Sequence, residues 1–166
     1  AGATGHDPAA ALFVDGELVA AVEEERLVRR KHAKEALPYL AARQCLQIAG
    51  LRSSDVTHVA VPYAPVSLFS KARWHYAYRH WYAPDRSVDS LFNGNRRYRR
   101  HLKDLRGLLE KLHIRYENVK VVPIEHQLAH ASSVYHLTGS TEKTAILCND
   151  SKGEYSNIFL GYGHNG

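Results

Sequence analysis

Two apolar, β-compatible runs open the chain, Ala9 to Val14 and Glu17 to Glu23, joined by Asp15-Gly16. A two-residue Asp-Gly link between such runs predicts a β-hairpin with a type I′ turn. Pro38 to Ala49 then shows helical spacing and stops at Gly50, a residue suited to a left-handed cap. Val56 to Val61 reads as a strand. Its position after a helix predicts a β-α-β crossover, with the strand joining the hairpin's sheet in parallel.

From Pro65 to Tyr116 the pattern changes to long helical segments dense in arginine, histidine, tyrosine and tryptophan, broken at Pro84 and at Asn93-Gly94. This stretch reads as an inserted helical cap whose rings pack inward while its arginines line the outer face. Lys120 to Ile124 returns to β character, Gln127 to Leu137 forms a helix ended by Thr138-Gly139, and Thr144 to Cys148 with Asn157 to Tyr162 make a second strand pair. The expected organisation is an α/β core with mixed strands: residues 1–64 as hairpin and βαβ part, 65–116 as the basic helical insertion, 117–166 as continuation of the core. No repeat at a fixed period is evident, although the two hairpins can be counterparts.

Composition narrows the class. A chain of 166 residues with 45% hydrophobic residues can bury a core. No apolar run approaches the ~20 residues that span a bilayer, and no charged-then-apolar leader is visible, so a cytoplasmic protein is expected. Cys45 and Cys148 lie in apolar periodic segments without a C-x-x-C partner, which predicts buried reduced thiols. Ala1 opens the chain without an initiator methionine and Gly166 closes it just after a strand-like run, so further sequence is expected on both sides.

Glu125-His126-Gln127-Leu128-Ala129-His130-Ala131 carries the strongest chemical signal. Helix positions i and i+4 are neighbours, close enough for His126 and His130 to reach one ion, and Asp150 follows at a strand end as a carboxylate ligand. That donor set suits iron, manganese or zinc. With eleven histidines in the chain, two ordinary helix-surface imidazoles account for the spacing about as well.

Other motifs divide between chemistry and plain structure. Gly5-His6-Asp7 precedes the first strand, where His6 can take a proton from an attacking hydroxyl and Asp7 can orient it; alternatively Asp7 caps a turn before Pro8. Arg29, Lys31 and His32 close the charged run Glu24 to His32 and can hold phosphate, although most such runs are solvated faces. In the turn Asp150 to Glu154, Gly153 permits positive φ, and the amides of Ser151, Lys152 and Gly153 can receive an anion or simply close a hairpin. Gly161 and Gly163 flank Tyr162 and would let a ligand approach the backbone. The rings and arginines between Lys71 and Arg115 are also what single-stranded nucleic-acid platforms use, but a net charge of +5 is modest and no reading motif is present.

Taken together, these segments resemble the amino-terminal part of the O-carbamoyltransferases of the nodulation-protein-U and antibiotic-carbamoylating type. The family's opening His-Asp-Ser/Pro-x-Ala-Ala is matched from His6 to Ala11, and its Glu-Glu-Arg-x-x-Arg-x-Lys-His run by Glu24, Glu25, Arg26, Arg29, Lys31 and His32. Its Glu-His-His-x-x-His-Ala segment corresponds to Glu125 through Ala131, and its Asp-Gly-x-Gly-Glu turn to Asp150 through Glu154. Gln127 stands where the family often has a second histidine, and Ser151 and Lys152 replace small residues of the turn.

The resemblance implies a partial fold of the actin, sugar-kinase and acetate-kinase superfamily. It also implies a divalent metal held by His126, His130 and Asp150, with His6 and Asp7 serving acceptor deprotonation. ATP and carbamoyl phosphate would give a carbamoyl-adenylate, whose carbamoyl group passes to a hydroxyl of a small-molecule acceptor. The carboxy-terminal part of such an enzyme would lie beyond Gly166, a homodimer is open, and membrane and nucleic acid are not expected partners. The alternatives are a non-catalytic module that binds RNA or another polyanion, and a tRNA threonylcarbamoyl-modifying relative.

Overall fold

A computed structural model describes residues 7–139, 141–150 and 153–165. His6, Ser151 and Lys152, three of the residues singled out above, lie outside the described residues. In chain order the elements are β1 (Ala9–Val14), β2 (Glu17–Glu23), α1 (Glu24–Val28), α2 (Tyr39–Ala49), β3 (His58–Val61), α3 (Lys71–Arg79), α4 (Pro84–Asn93), α5 (Arg96–Lys111), β4 (Lys120–Pro123), α6 (His126–Thr138), β5 (Thr144–Asn149) and β6 (Ile158–Gly163). The result is a mixed α/β chain whose described strands form small two-stranded sheets. No helix among the described residues is long and apolar enough to cross a membrane.

The chain divides into two compact units, residues 1–59 with 99–121 and residues 60–98 with 122–166. In the first, β1 and β2 pair antiparallel around Asp15-Gly16, both at positive φ as a type I′ turn requires, with an irregularity between Leu12 and Phe13. Helix α2 packs on this hairpin, and the Cys45 thiol donates to the Ala10 carbonyl at 3.5 Å. Burial pushes that thiol's pKa up. Ala20, Ala41, Cys45 and Leu46 are buried here, as are Leu105 and Leu109 of α5. Helix α2 begins after Pro38, which offers no side-chain cap, and the orphan amides of its first turn find Glu24 instead. The Glu24 carboxylate accepts from Leu40 N at 3.1 Å and Ala41 N at 2.7 Å, where the helix dipole favours negative charge. Glu24 is only 3% exposed, so the charged run is not simply a solvated face.

The expected pairing of β3 with the first hairpin is not found among the described residues, where β3 neighbours β4. Lys120 N donates to Thr57 O and Ile124 N to Val61 O, so the partners advance together, as in a parallel ladder. These bonds commit the carbonyls of residues 57 and 61 to β4, while α2, the element between β2 and β3, packs on β1 and β2 as a covering layer.

In the second unit α3 packs on α4, and α6 packs on the antiparallel pair β5 and β6. Pro84 opens α4 at its first turn, the position where a missing amide hydrogen is harmless. The helical segment departs from the expected arrangement in its rings: Trp74, Tyr78, Trp81 and Tyr82 are 54–76% exposed and Arg73 is 4% exposed, while Arg79, Arg86, Arg96, Arg97 and Arg99 lie outward as expected. Arg73 is tolerated inside because Nε donates to the Tyr155 hydroxyl at 3.0 Å and Nη1 to the Leu91 carbonyl at 3.1 Å. The room expected beside Gly161 and Gly163 is also taken. A Cβ at Gly161 would meet the Phe159 ring and one at Gly163 the Tyr135 ring, so these glycines admit side chains of the core and not a ligand.

Candidate functional site

Helix α6 starts at the second unit's candidate chemistry. Glu125 is its N-cap, its carboxylate accepting from Leu128 N at 2.7 Å, so the first turn that carries His126 and His130 is held locally. The following strand β5 ends at Asn149 and delivers Asp150 to the same place. His126 Nε2 lies 2.9 Å from Asp150 Oδ2 and His130 Nε2 lies 3.8 Å from it. The donor atoms of His126, His130 and Asp150 all fall within 4.8 Å of one another. The three residues expected to ligate metal are thus brought together.

Two further groups fix the first imidazole. His126 Nδ1 lies 2.9 Å from the Pro62 carbonyl, which can only accept, so Nδ1 carries a hydrogen and Nε2, facing the Asp150 carboxylate, is the ring nitrogen placed to reach an ion. Tyr63 stacks on the ring at 4.4 Å between centroids and 16° between planes. Burial raises the Tyr63 phenol above its ordinary range, the Arg97 guanidinium pulls it back, and the negative charges of Glu154 and Asp150 push it further up.

The donor set passes a geometric test for a divalent ion. Two donors each ~2.1 Å from a tetrahedral ion stand about 3.4 Å apart. The two carboxylate-to-imidazole separations, 2.9 and 3.8 Å, bracket that value, all three donors lie within 4.8 Å, and two imidazole nitrogens with one carboxylate oxygen suit zinc, iron or manganese. Three protein donors also leave coordination positions for a substrate or a further carboxylate.

The first unit holds Asp7, Arg29, Lys31 and His32 in a different setting. Asp7 Oδ1 lies 2.9 Å from His32 Nδ1, Asp7 N donates to His32 O at 2.9 Å, and His32 N donates to Glu25 Oε2 at 2.8 Å. Asp7, Glu25 and His32 therefore form a second group close enough to share a cation. Its carboxylates are already engaged by amide, imidazole and Arg26, whose Nε is 3.7 Å from Glu25, and cationic neighbours oppose a further positive charge. Asp7 and His32 both sit at left-handed φ, 56° and 62°. Arg29 and Lys31 lie exposed at the end of α1 and in the single turn after it.

Some residues of the metal-site region carried no role in the sequence reading. Glu154 accepts from Ala64 N at 2.9 Å and from His126 N at 3.1 Å. Gln127 is 1% exposed and donates to Ser156 O at 3.3 Å, with Gly153 against its Cγ, so its side chain is engaged by the turn. Glu154 closes the matched turn motif and was visible in that sense; nothing in the local pattern marks Pro62 or Tyr63.

A family profile described as carbamoyltransferase N-terminus matches residues 2–165. The nodulation protein NolNO of Sinorhizobium fredii (strain NBRC 101917 / NGR234) is 32% identical over 162 residues, 95% of this chain and 21% of that protein. An uncharacterized protein of Synechocystis sp. (strain ATCC 27184 / PCC 6803 / Kazusa) is 29% identical over 161 residues, 93% of this chain and 25% of its own length. An uncharacterized 19.2 kDa protein of Rhizobium etli is 44% identical over 55 residues, 33% of this chain and 32% of that protein. The chain thus spans between about a fifth and a third of the length of these curated relatives.

Proposed function

Because the chain belongs to the carbamoyltransferase N-terminus family, we propose that it is the amino-terminal, metal-holding part of an ATP-dependent O-carbamoyltransferase. Carbamoyl phosphate, ATP and water supply a carbamoyl-adenylate with release of phosphate and pyrophosphate, and its carbamoyl carbon bonds to the hydroxyl oxygen of a small-molecule acceptor. The bond from that carbon to the AMP oxygen breaks, and the hydroxyl proton leaves to a base. The observation that carries this reading beyond family membership is the convergence of His126, His130 and Asp150 within 4.8 Å. A divalent ion held there supplies Lewis-acid polarisation of a carbonyl or phosphoryl oxygen.

The chain's own residues prepare that site. Pro62 and Tyr63 fix the His126 ring, and Glu125 and Glu154 satisfy amides of the first turn of α6, so the donors need little reorganisation. The role of His6 as base stays with the family resemblance. Asp7 in turn orients the His32 imidazole through its Nδ1. The partial sheet order is compatible with the actin and sugar-kinase superfamily and is assigned to it on the resemblance.

The full-length protein, loaded with metal and given ATP, carbamoyl-labelled carbamoyl phosphate and a panel of hydroxylated small molecules, should form an O-carbamoyl product and AMP. Absence of label transfer across the panel, together with absence of ATP cleavage dependent on carbamoyl phosphate, overturns the reading. One observation favours a second reading, polyanion binding: Trp81, Tyr78 and Tyr82 are exposed beside Arg79. Affinity for single-stranded RNA that falls steeply with salt would support it.

A further inference from the structure

Resting on the metal-site reading above, we infer that Glu154 is a positioning residue of the metal centre, gripping the backbone of the same histidine whose ring meets Asp150. The Glu154 carboxylate spans two segments, accepting from Ala64 N at 2.9 Å and from His126 N at 3.2 and 3.1 Å. His126 is the first residue of α6, so its amide is one of the donors that the helix itself cannot satisfy, and a carboxylate is favoured there by the helix dipole.

One turn delivers both carboxylates. Asp150 N donates to Asn157 O and Gly153 N to Ser156 O, each at 2.9 Å, which closes the connection between β5 and β6 with Asp150 and Glu154 on it. His126 is therefore held from two sides by one hairpin turn, its Nε2 by Asp150 and its N by Glu154.

The turn is in turn clamped to the rest of its unit. The Tyr155 hydroxyl accepts from buried Arg73 Nε at 3.0 Å and donates to Ser90 O at 3.1 Å, and Gln127 Nε2 donates to Ser156 O at 3.3 Å. Removing the Glu154 carboxylate leaves the amides of Ala64 and His126 without this acceptor and loosens the spacing between Asp150 and the imidazoles. Partners of this kind, which orient a ligand without touching the ion, typically change metal affinity ~10- to 100-fold.

The test is cobalt(II) binding to the metal-stripped full-length protein, read as affinity, stoichiometry and visible ligand-field spectrum. Glu154→Ala should keep one cobalt at this site but weaken it about 10- to 100-fold and shift the spectrum. Glu154→Gln, which folds as a near-isostere and keeps one acceptor oxygen, should recover part of the affinity. Ser87→Ala serves as the control, because it removes hydrogen bonds to Ala77 O and His80 O between α3 and α4 without touching the metal residues. It should lower thermal stability and leave cobalt affinity unchanged. Wild-type affinity in both Glu154 variants overturns the inference, as does equal weakening by Ser87→Ala at a matched loss of stability. If His126→Ala with His130→Ala binds cobalt like the wild type, the metal-site reading itself fails, an outcome separable from the first two.

Discussion

Two pairs of imidazole and carboxylate share one distance and little else. His126 and Asp150 meet at 2.9 Å, and so do His32 and Asp7. The first pair has side chains 15% and 31% exposed, with a carbonyl behind the ring, a stacked tyrosine over it and a carboxylate on its amide. The second has side chains 47% and 50% exposed and is carried by residues at left-handed φ among cationic neighbours. A contact distance therefore does not identify a metal site. What separates the pairs is how much of the donor geometry is fixed before an ion arrives, because immobilised donors lose little entropy and partly buried ones are weakly screened. The second pair instead combines an oriented, accessible imidazole with local backbone strain, a combination suited to handling protons or anions.

The largest expected effect breaks this comparison directly. His126→Ala in the full-length protein should lower divalent-metal affinity by more than about a hundredfold, beyond what loss of a supporting contact causes. His32→Ala should leave metal affinity within about twofold, since exposed pairs contribute little to order elsewhere. Isothermal titration of both variants decides it, and the reverse ranking would assign the ion to the first unit. Next in size is Gly163→Ala. A Cβ there would overlap the ring of Tyr135, a buried residue of the helix that carries both imidazoles. The clash should destabilise the protein by about 1–3 kcal/mol in denaturant unfolding. Bound metal should restore part of the loss by mass action, whereas the first unit's cluster offers no such coupling.

Much of this architecture was legible in the chain because its punctuation is strong. Asp15-Gly16, Gly50, Pro84 and Gly139 fall at the turn, cap and helix-start positions that their backbone preferences predict. The histidine spacing on α6 likewise pointed to the cluster of His126, His130 and Asp150 that the fold brings together. Pairing and facing were less legible, because they depend on partners distant in sequence. Helical spacing of Trp74, Tyr78 and Trp81 reads as an inward stripe, yet Arg73 is the buried residue, because Tyr155 and the Leu91 carbonyl accept from its Nε and Nη1. Glu24 looked like one more surface charge, since the two amides that draw it inward belong to residues 40 and 41. The supports of His126 come from residues 62, 63 and 154, and no local periodicity links those positions.

A smaller effect sharpens the contrast from the other side. Asp7→Asn keeps a side chain that tolerates left-handed φ, so it removes charge without adding backbone strain. Since both partners are about half exposed, the change should cost only ~0–1 kcal/mol in thermal unfolding, with the difference shrinking as salt is added. Metal affinity should not move. A loss of several kcal/mol would mean that the first unit depends on this pair as heavily as α2 depends on Glu24.

The smallest expected signal comes from Tyr63, and it reports whether the first pair holds the ion. Burial is the main reason its phenol ionises above the ordinary value of 10.0, with Arg97 opposing and the charges of Glu154 and Asp150 reinforcing the shift. For an acid whose folded pKa is raised, stability is fully present below the unfolded value and declines as pH climbs through the folded one. Phenolate absorbance on alkaline titration should thus contain a phase above the ordinary range that vanishes in Tyr63→Phe. Zinc bound beside Asp150 offsets that carboxylate's charge and should move this phase to lower pH, in protein freed of excess metal. Zinc that saturates the protein and leaves this phase where it was is not bound beside Asp150.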